Sequence, residues 1–265
     1  VIDDESEAAA LSPDSVGADA PPPSPPPTSP PVSPPPLPEG PPAATPWRWP
    51  QVLLGTIMAY IPEALLTALL VGSGTSSTSA KASIALAVSA LVLTAMLDGW
   101  QLFSAWTFSL RRGHQSWSAW GFRRPTRTII WIVPAALFAV YAVAIVHSAL
   151  VHPPEQTLVG DFPHTRAGLA IFLLTVCVAA PFFEETFFRG FIFRGLANSW
   201  GAVWGAVVSS AFFAAVHMQL TIFVPIFALG IALCWVYQRT GSIWTNITLH
   251  STFNLISVLV WWAGK

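Results

Sequence analysis

Charge is what this chain has least of. Only 9% of its 265 residues are charged, acids and bases nearly cancel to a net −1, and no basic stretch suited to gripping phosphates occurs. Nucleic acid is therefore not an expected partner. Cysteine is almost missing too. Cys177 and Cys234 each sit in an apolar run, too few for a disulfide framework and at a spacing that fits no metal motif. Residues 1–46 lack the basic start and apolar core of a secretory signal. What fills the remainder is apolar: 53% of the residues are hydrophobic and the mean hydropathy is positive. That is the composition of a polytopic membrane protein, not of a soluble domain.

Proline is abundant but segregated. Residues 1–46 open with Asp3, Asp4, Glu5 and Glu7 and continue through PPPSPPPTSPPVSPPPLP. Proline removes backbone donors and fixes φ, and too few apolar groups stand nearby to offset the cost of ordering. A disordered, partly polyproline II tail is expected there. Beyond Trp47 come apolar segments at 51–72, 82–110, 128–151, 167–197, 200–217, 219–238 and 243–262. Most reach the roughly 20 residues needed to cross a bilayer as a helix. The fold class is therefore all-α: a transmembrane helical bundle of about seven spans. Three regions follow: the tail 1–46, N-terminal membrane spans over 47–166 with a basic loop at 111–127, and a membrane core over 167–262.

Tryptophans mark many span ends, among them Trp47, Trp49, Trp131, Trp200, Trp204, Trp244, Trp261 and Trp262. With the tail inside, one side of the membrane receives Arg48, Arg111, Arg112, Arg123, Arg124, Arg127, Arg189, Arg194 and Arg239. The other side keeps Lys81, Arg166 and Lys265. The positive-inside rule then sets the N-terminus in the cytosol. The loop RRGHQSWSAWGFRRPTR, with its interleaved aromatics, is expected to lie along the cytoplasmic interface.

Charges inside the apolar spans are costly and therefore informative. PFFEETFFRGF places Glu184, Glu185 and Arg189 in a run of phenylalanines. Glu185 and Arg189 stand four apart and share a helix face, so they can pair. Glu184 is turned about 100° away and is left available. In FFAAVH, Phe213 lies one turn before His217. In HSTFN, His250 and Asn254 share a face. At about 1.5 Å per residue, modest tilts bring all three groups to a similar depth. A carboxylate sheltered from bulk water is a competent base for a water molecule, and His217 could share that water. His250 and Asn254 could donate to the oxyanion formed when water attacks a carbonyl. No serine or cysteine stands in a nucleophile motif, so a covalent acyl-enzyme is less favoured. Glu184, His217 and His250 could instead hold zinc, although the HExxH spacing is lacking. Glu63 and Asp98 are two further membrane carboxylates that either line a path or pair structurally.

EExxxR, FxxxH and HxxxN in this order resemble the CAAX protease and bacteriocin-processing family of intramembrane proteases, also called the Abi family. The resemblance covers about Gly168–Val260, and RTGSIWTNITLHSTFN is similar to the family's final motif. It implies an integral, multi-pass protein of a bacterial plasma membrane that hydrolyses a peptide bond of a membrane-associated substrate, of the lipidated CAAX type among others. It also implies that Glu184 and His217 activate water, His250 and Asn254 form the oxyanion hole, and Glu185 and Arg189 shape the site. Members are often labelled metalloproteases, so zinc and a metal-free glutamate mechanism both stay open. The alternatives are a non-catalytic scaffold or bacteriocin-immunity protein with the same bundle, and a proton-coupled transporter. The transporter is disfavoured because no internal repeat is visible.

Overall fold

The computed structural model describes residues 45–72, 84–152 and 165–263. The expected disorder of the tail concerns residues that lie, but for its last two, outside this set. So do the connections at 73–83 and 153–164.

Every long apolar segment forms a helix, because in lipid only a helix satisfies its own backbone groups segment by segment. The helices are α1 (Trp49–Gly72), α2 (Ile84–Trp106), α3 (Ile129–Val151), α4 (Arg166–Leu174), α5 (Ala180–Glu185), α6 (Arg194–Ala215), α7 (Phe223–Thr240) and α8 (Ile243–Ala263). Among the described residues there is no strand. Five stretches among the described residues are long and apolar enough to cross a membrane: Trp49–Leu70, Val88–Arg111, Ile129–Val151, Arg166–Ala215 and Leu220–Thr240. The fourth is 50 residues long and contains two of the expected spans. Its chain reverses at Gly201, whose φ of 81° and ψ of 162° break the helix. A side chain would be strained in that region. α8 has 21 residues but carries Thr245, Asn246, Thr248, His250, Ser251, Thr252 and Asn254, which dilute its apolar character. The seven expected spans are thus seven helical passes, the protein is an integral membrane bundle, and two of the passes differ from plain apolar helices.

The helix that carries EExxxR is irregular in a way its sequence does not announce. π turns at Thr175–Ala179 and Thr186–Phe193 flank α5, so Glu184 and Glu185 stand between two widened stretches. π turns shift the hydrogen-bond ladder by one residue and recur at functional sites. Carbonyls in both turns take side-chain donors from elsewhere in the fold. Asn254 Nδ2 donates to the Val176 carbonyl at 2.8 Å, and the Trp47 indole donates to that of Phe191 at 3.0 Å.

Two expectations change on contact with the structure. Trp47 does stand at a span end, but it is turned inward: it is 1% exposed and wedged against α6. Asn198 fixes the chain there by donating to the carbonyls of Thr45 and Trp47. The basic loop, in turn, does more than lie along an interface. Trp120 is fully buried, its carbonyl accepts from Tyr237 Oη at 3.0 Å, and its indole donates to Ser109 Oγ. The Gly121 carbonyl accepts from Ile243 N, and Ser242 Oγ donates to the Arg123 carbonyl. Unpaired backbone groups at helix ends need such partners, and the loop supplies them to the α7–α8 turn. Arg111, Arg112, Arg124 and Arg127 stay exposed, as expected of the loop's charges.

Candidate active site

Glu184 and Glu185 are neighbours with opposite surroundings. Glu185 is fully buried and its two oxygens are crowded with donors. Oε1 accepts from Arg189 Nη1 at 2.9 Å and from His250 Nδ1 at 2.9 Å, and Oε2 accepts from Asn246 Nδ2 at 3.2 Å. The carboxylate oxygen is the acceptor in the His250 contact, so Nδ1 of His250 is the donor. Arg189 is buried with it and lies over the Phe213 ring, 4.3 Å from its centre. This cation–π contact contributes about 0.5–2 kcal/mol in a dry setting.

Glu184 is the bare member of the pair. Its side chain is 30% exposed, and Oε2 has no hydrogen-bond partner among the described residues. The nearest imidazole nitrogen, His250 Nε2, stands 3.9 Å from that oxygen. The gap is too long for a hydrogen bond and of the length a bridging water spans. His217 closes α6. Its Nδ1 donates to the Phe213 carbonyl one turn earlier at 2.7 Å, which leaves Nε2 as an open acceptor. The Phe213 ring meets both imidazoles edge-on, at 4.9 Å from His217 and 5.8 Å from His250. Phe188 and Phe212 extend that wall.

Asn254 stands one turn beyond His250 on α8. One of its amide hydrogens is committed to Val176, and the other is spare. Asn246 stands one turn before His250 and is fully buried. It falls within RTGSIWTNITLHSTFN, yet sequence reasoning assigned it no role, because its partners Glu185 and the Leu233 carbonyl are contributed by other helices. Thr252 bonds the Thr248 carbonyl, as a membrane threonine is expected to do.

Glu184, His217 and His250 do not fit a metal as placed. Among the described residues no group of three or more His, Cys, Asp or Glu side chains could hold one ion. Glu63 is engaged with Gln101 Nε2 at 3.2 Å across α1 and α2. Cys234 is a buried free thiol and Cys177 a half-buried one. A cavity of about 580 Å³ opens between the 175–179 π turn and α8. Phe182, Trp244, Ile247 and Val178 give it a mostly apolar lining, and Ser251, next to His250, reaches its wall.

Residues 166–256 match the family model described as Type II CAAX prenyl endopeptidase Rce1-like. This bears out the resemblance carried by the three motifs. A Bacillus subtilis (strain 168) protein named "Putative membrane peptidase YdiL" is 28% identical over 93 residues, which cover 35% of this chain and 38% of that protein. An Escherichia coli protein named "Uncharacterized 24.3 kDa protein" is 27% identical over 135 residues, 49% of this chain and 62% of that protein. The chain thus spans less than two thirds of either relative. No solved structure matches it.

Proposed function

We propose that this chain is an intramembrane endopeptidase, with the match of residues 166–256 to a CAAX endopeptidase family as its premise. Its substrate in this reading is a membrane-associated protein or peptide, and a lipidated CAAX-type C-terminus is the first to try. The observation that carries the reading is the unequal pair: Glu185 saturated by three donors, Glu184 bare and facing His250 across 3.9 Å. A saturated carboxylate holds a site together, whereas a bare one can take a proton.

In the proposed reaction, water lies against Glu184 Oε2 and attacks the scissile carbonyl carbon. Its proton passes to Glu184, with His217 Nε2 as a second acceptor. The electron pair of the C=O π bond moves to oxygen. His250, which lies between Glu184 and Glu185, and the spare amide hydrogen of Asn254 stabilise that oxyanion. As the C–N bond breaks, Glu184 returns the proton to the departing nitrogen. Phe213 and its neighbours keep the site dry, which strengthens each of these contacts. The apolar cavity beside Phe182 takes the hydrophobic part of the substrate. The N-terminus is proposed to be cytoplasmic and the membrane to be a bacterial plasma membrane.

The test is cleavage of a fluorogenic prenylated CAAX peptide by purified protein in detergent or liposomes. Glu184→Gln and His217→Ala, shown to be folded by size exclusion, are expected to lose at least about 100-fold in kcat, as loss of a general base does. Full turnover by either would defeat this mechanism, and a parent protein that cleaves nothing would favour the scaffold alternative.

A further inference from the structure

Asn246 lies outside the three motifs, yet it grips the same carboxylate as His250. Its Nδ2 donates to Glu185 Oε2 at 3.2 Å and to the Leu233 carbonyl on α7 at 2.8 Å. Both partners are acceptors only, so the amide nitrogen must be the atom that faces them. The residue is fully buried, and it precedes His250 by one turn of α8. Two successive turns of one helix therefore hold the two oxygens of one carboxylate, with Asn246 on Oε2 and His250 on Oε1. Arg189 shares Oε1, which leaves Asn246 as the donor recorded on Oε2.

We propose that Asn246 is a positioning residue for the hydrolysis. By holding Oε2 it fixes the plane of the Glu185 carboxylate, and so keeps His250 with Nδ1 on Glu185 and Nε2 towards Glu184. The link to Leu233 ties that plane to the backbone of α7, so three helices fix the orientation of one imidazole. Without Asn246, Arg189 still neutralises Glu185, but the carboxylate can swing about its last torsion and carry Oε1 away from Nδ1. The ring is then free to turn, and its second nitrogen no longer meets the oxyanion. The inference rests on the peptidase reading for its kinetic consequence but not for its structural one.

Two measurements on the full chain separate these layers. NMR of isotope-labelled histidine, assigned with His250→Gln, reads the Nδ1 proton of His250 directly. A downfield proton of a carboxylate-bonded imidazole is expected in the parent, and it should be shifted or broadened in Asn246→Ala. Cleavage of the prenylated peptide should fall roughly 10–100-fold in kcat with KM within about twofold, the usual cost of losing an outer partner of a reacting imidazole. Asn246→Asp keeps the shape but turns a third acceptor towards two others. Positioning predicts that it is no better than Asn246→Ala, whereas a packing role predicts a return towards the parent. All variants are compared on their monodisperse fraction. An unmoved His250 proton with kcat within twofold of the parent, or recovery by Asn246→Asp, overturns the proposal. If the parent itself does not cleave the peptide, the peptidase reading fails instead, and the NMR result still decides what Asn246 does.

Discussion

Glu185 and Glu184 share a chemical type and a peptide bond, yet removing each should have opposite effects. Breaking the Glu185–Arg189 pair from either side strands a charge that is 1% exposed or less. A loss of about 3–5 kcal/mol follows from an uncompensated buried charge. Glu185→Ala and Arg189→Ala are expected to melt well below the parent in detergent, and Glu185→Gln combined with Arg189→Met should recover much of that loss. Glu184→Gln should stay within about 1 kcal/mol of the parent, since no bonded partner is lost. Chelation belongs at this scale as well. In the proposed carboxylate reaction cleavage is expected to survive exhaustive metal removal, and activity restored only by added zinc would reverse that. The i, i+4 pair was legible in the sequence because both partners lie on one helix. So were the bare state of Glu184 and the Phe213–His217 wall. Asn246 was not, because its partner Glu185 lies 61 residues away and periodicity says nothing about which helices meet.

Helices were the easiest elements to read, since an apolar run of sufficient length has one stable form in lipid. Their irregularities were hidden. The π turns at 175–179 and 186–193 leave no composition mark, and they depend on donors from Asn254 and Trp47 that arrive from distant parts of the chain. The loop at 111–127 was read from its arginines and tryptophans as interfacial, but its role is set by backbone groups. Gly121 has φ 87°, and a Cβ there would stand 2.5 Å from Tyr237 Oη and 2.7 Å from Tyr237 Cε2. Gly121→Ala must therefore push the loop off α7 and disturb the bond from Ile243 N. A cost of about 1–3 kcal/mol is expected for a strained position of this kind. It should appear as a lower melting temperature and as faster proteolysis within 111–127.

Across the whole molecule, one end of the bundle collects features that are far apart in sequence. Trp49 stacks on Trp200, the 111–127 loop lies against the α7–α8 turn, and Asn198 holds residues 45–47. Chain segments can share an end only if an even number of passes separates them. The starts of α1 and α8, the basic loop and the Gly201 reversal obey that rule. Most of the arginines cluster at this end, in line with its facing the cytosol. Thiol labelling would check it in a background with Cys177 and Cys234 replaced by serine. Thr221→Cys, in the exposed turn before α7, should react with an impermeant reagent in intact cells. Ser118→Cys should react only after permeabilisation.

Glu185 meets both His250 and Asn246 through α8, the final helix described. A ribosome makes Glu184, Glu185 and Arg189 well before it makes that helix. While synthesis is under way the nascent protein has its base but not the imidazole facing it, and nothing yet locks the second oxygen of Glu185. In the proposed reaction the site therefore becomes competent only once α8 has inserted beside the helix that carries Glu184.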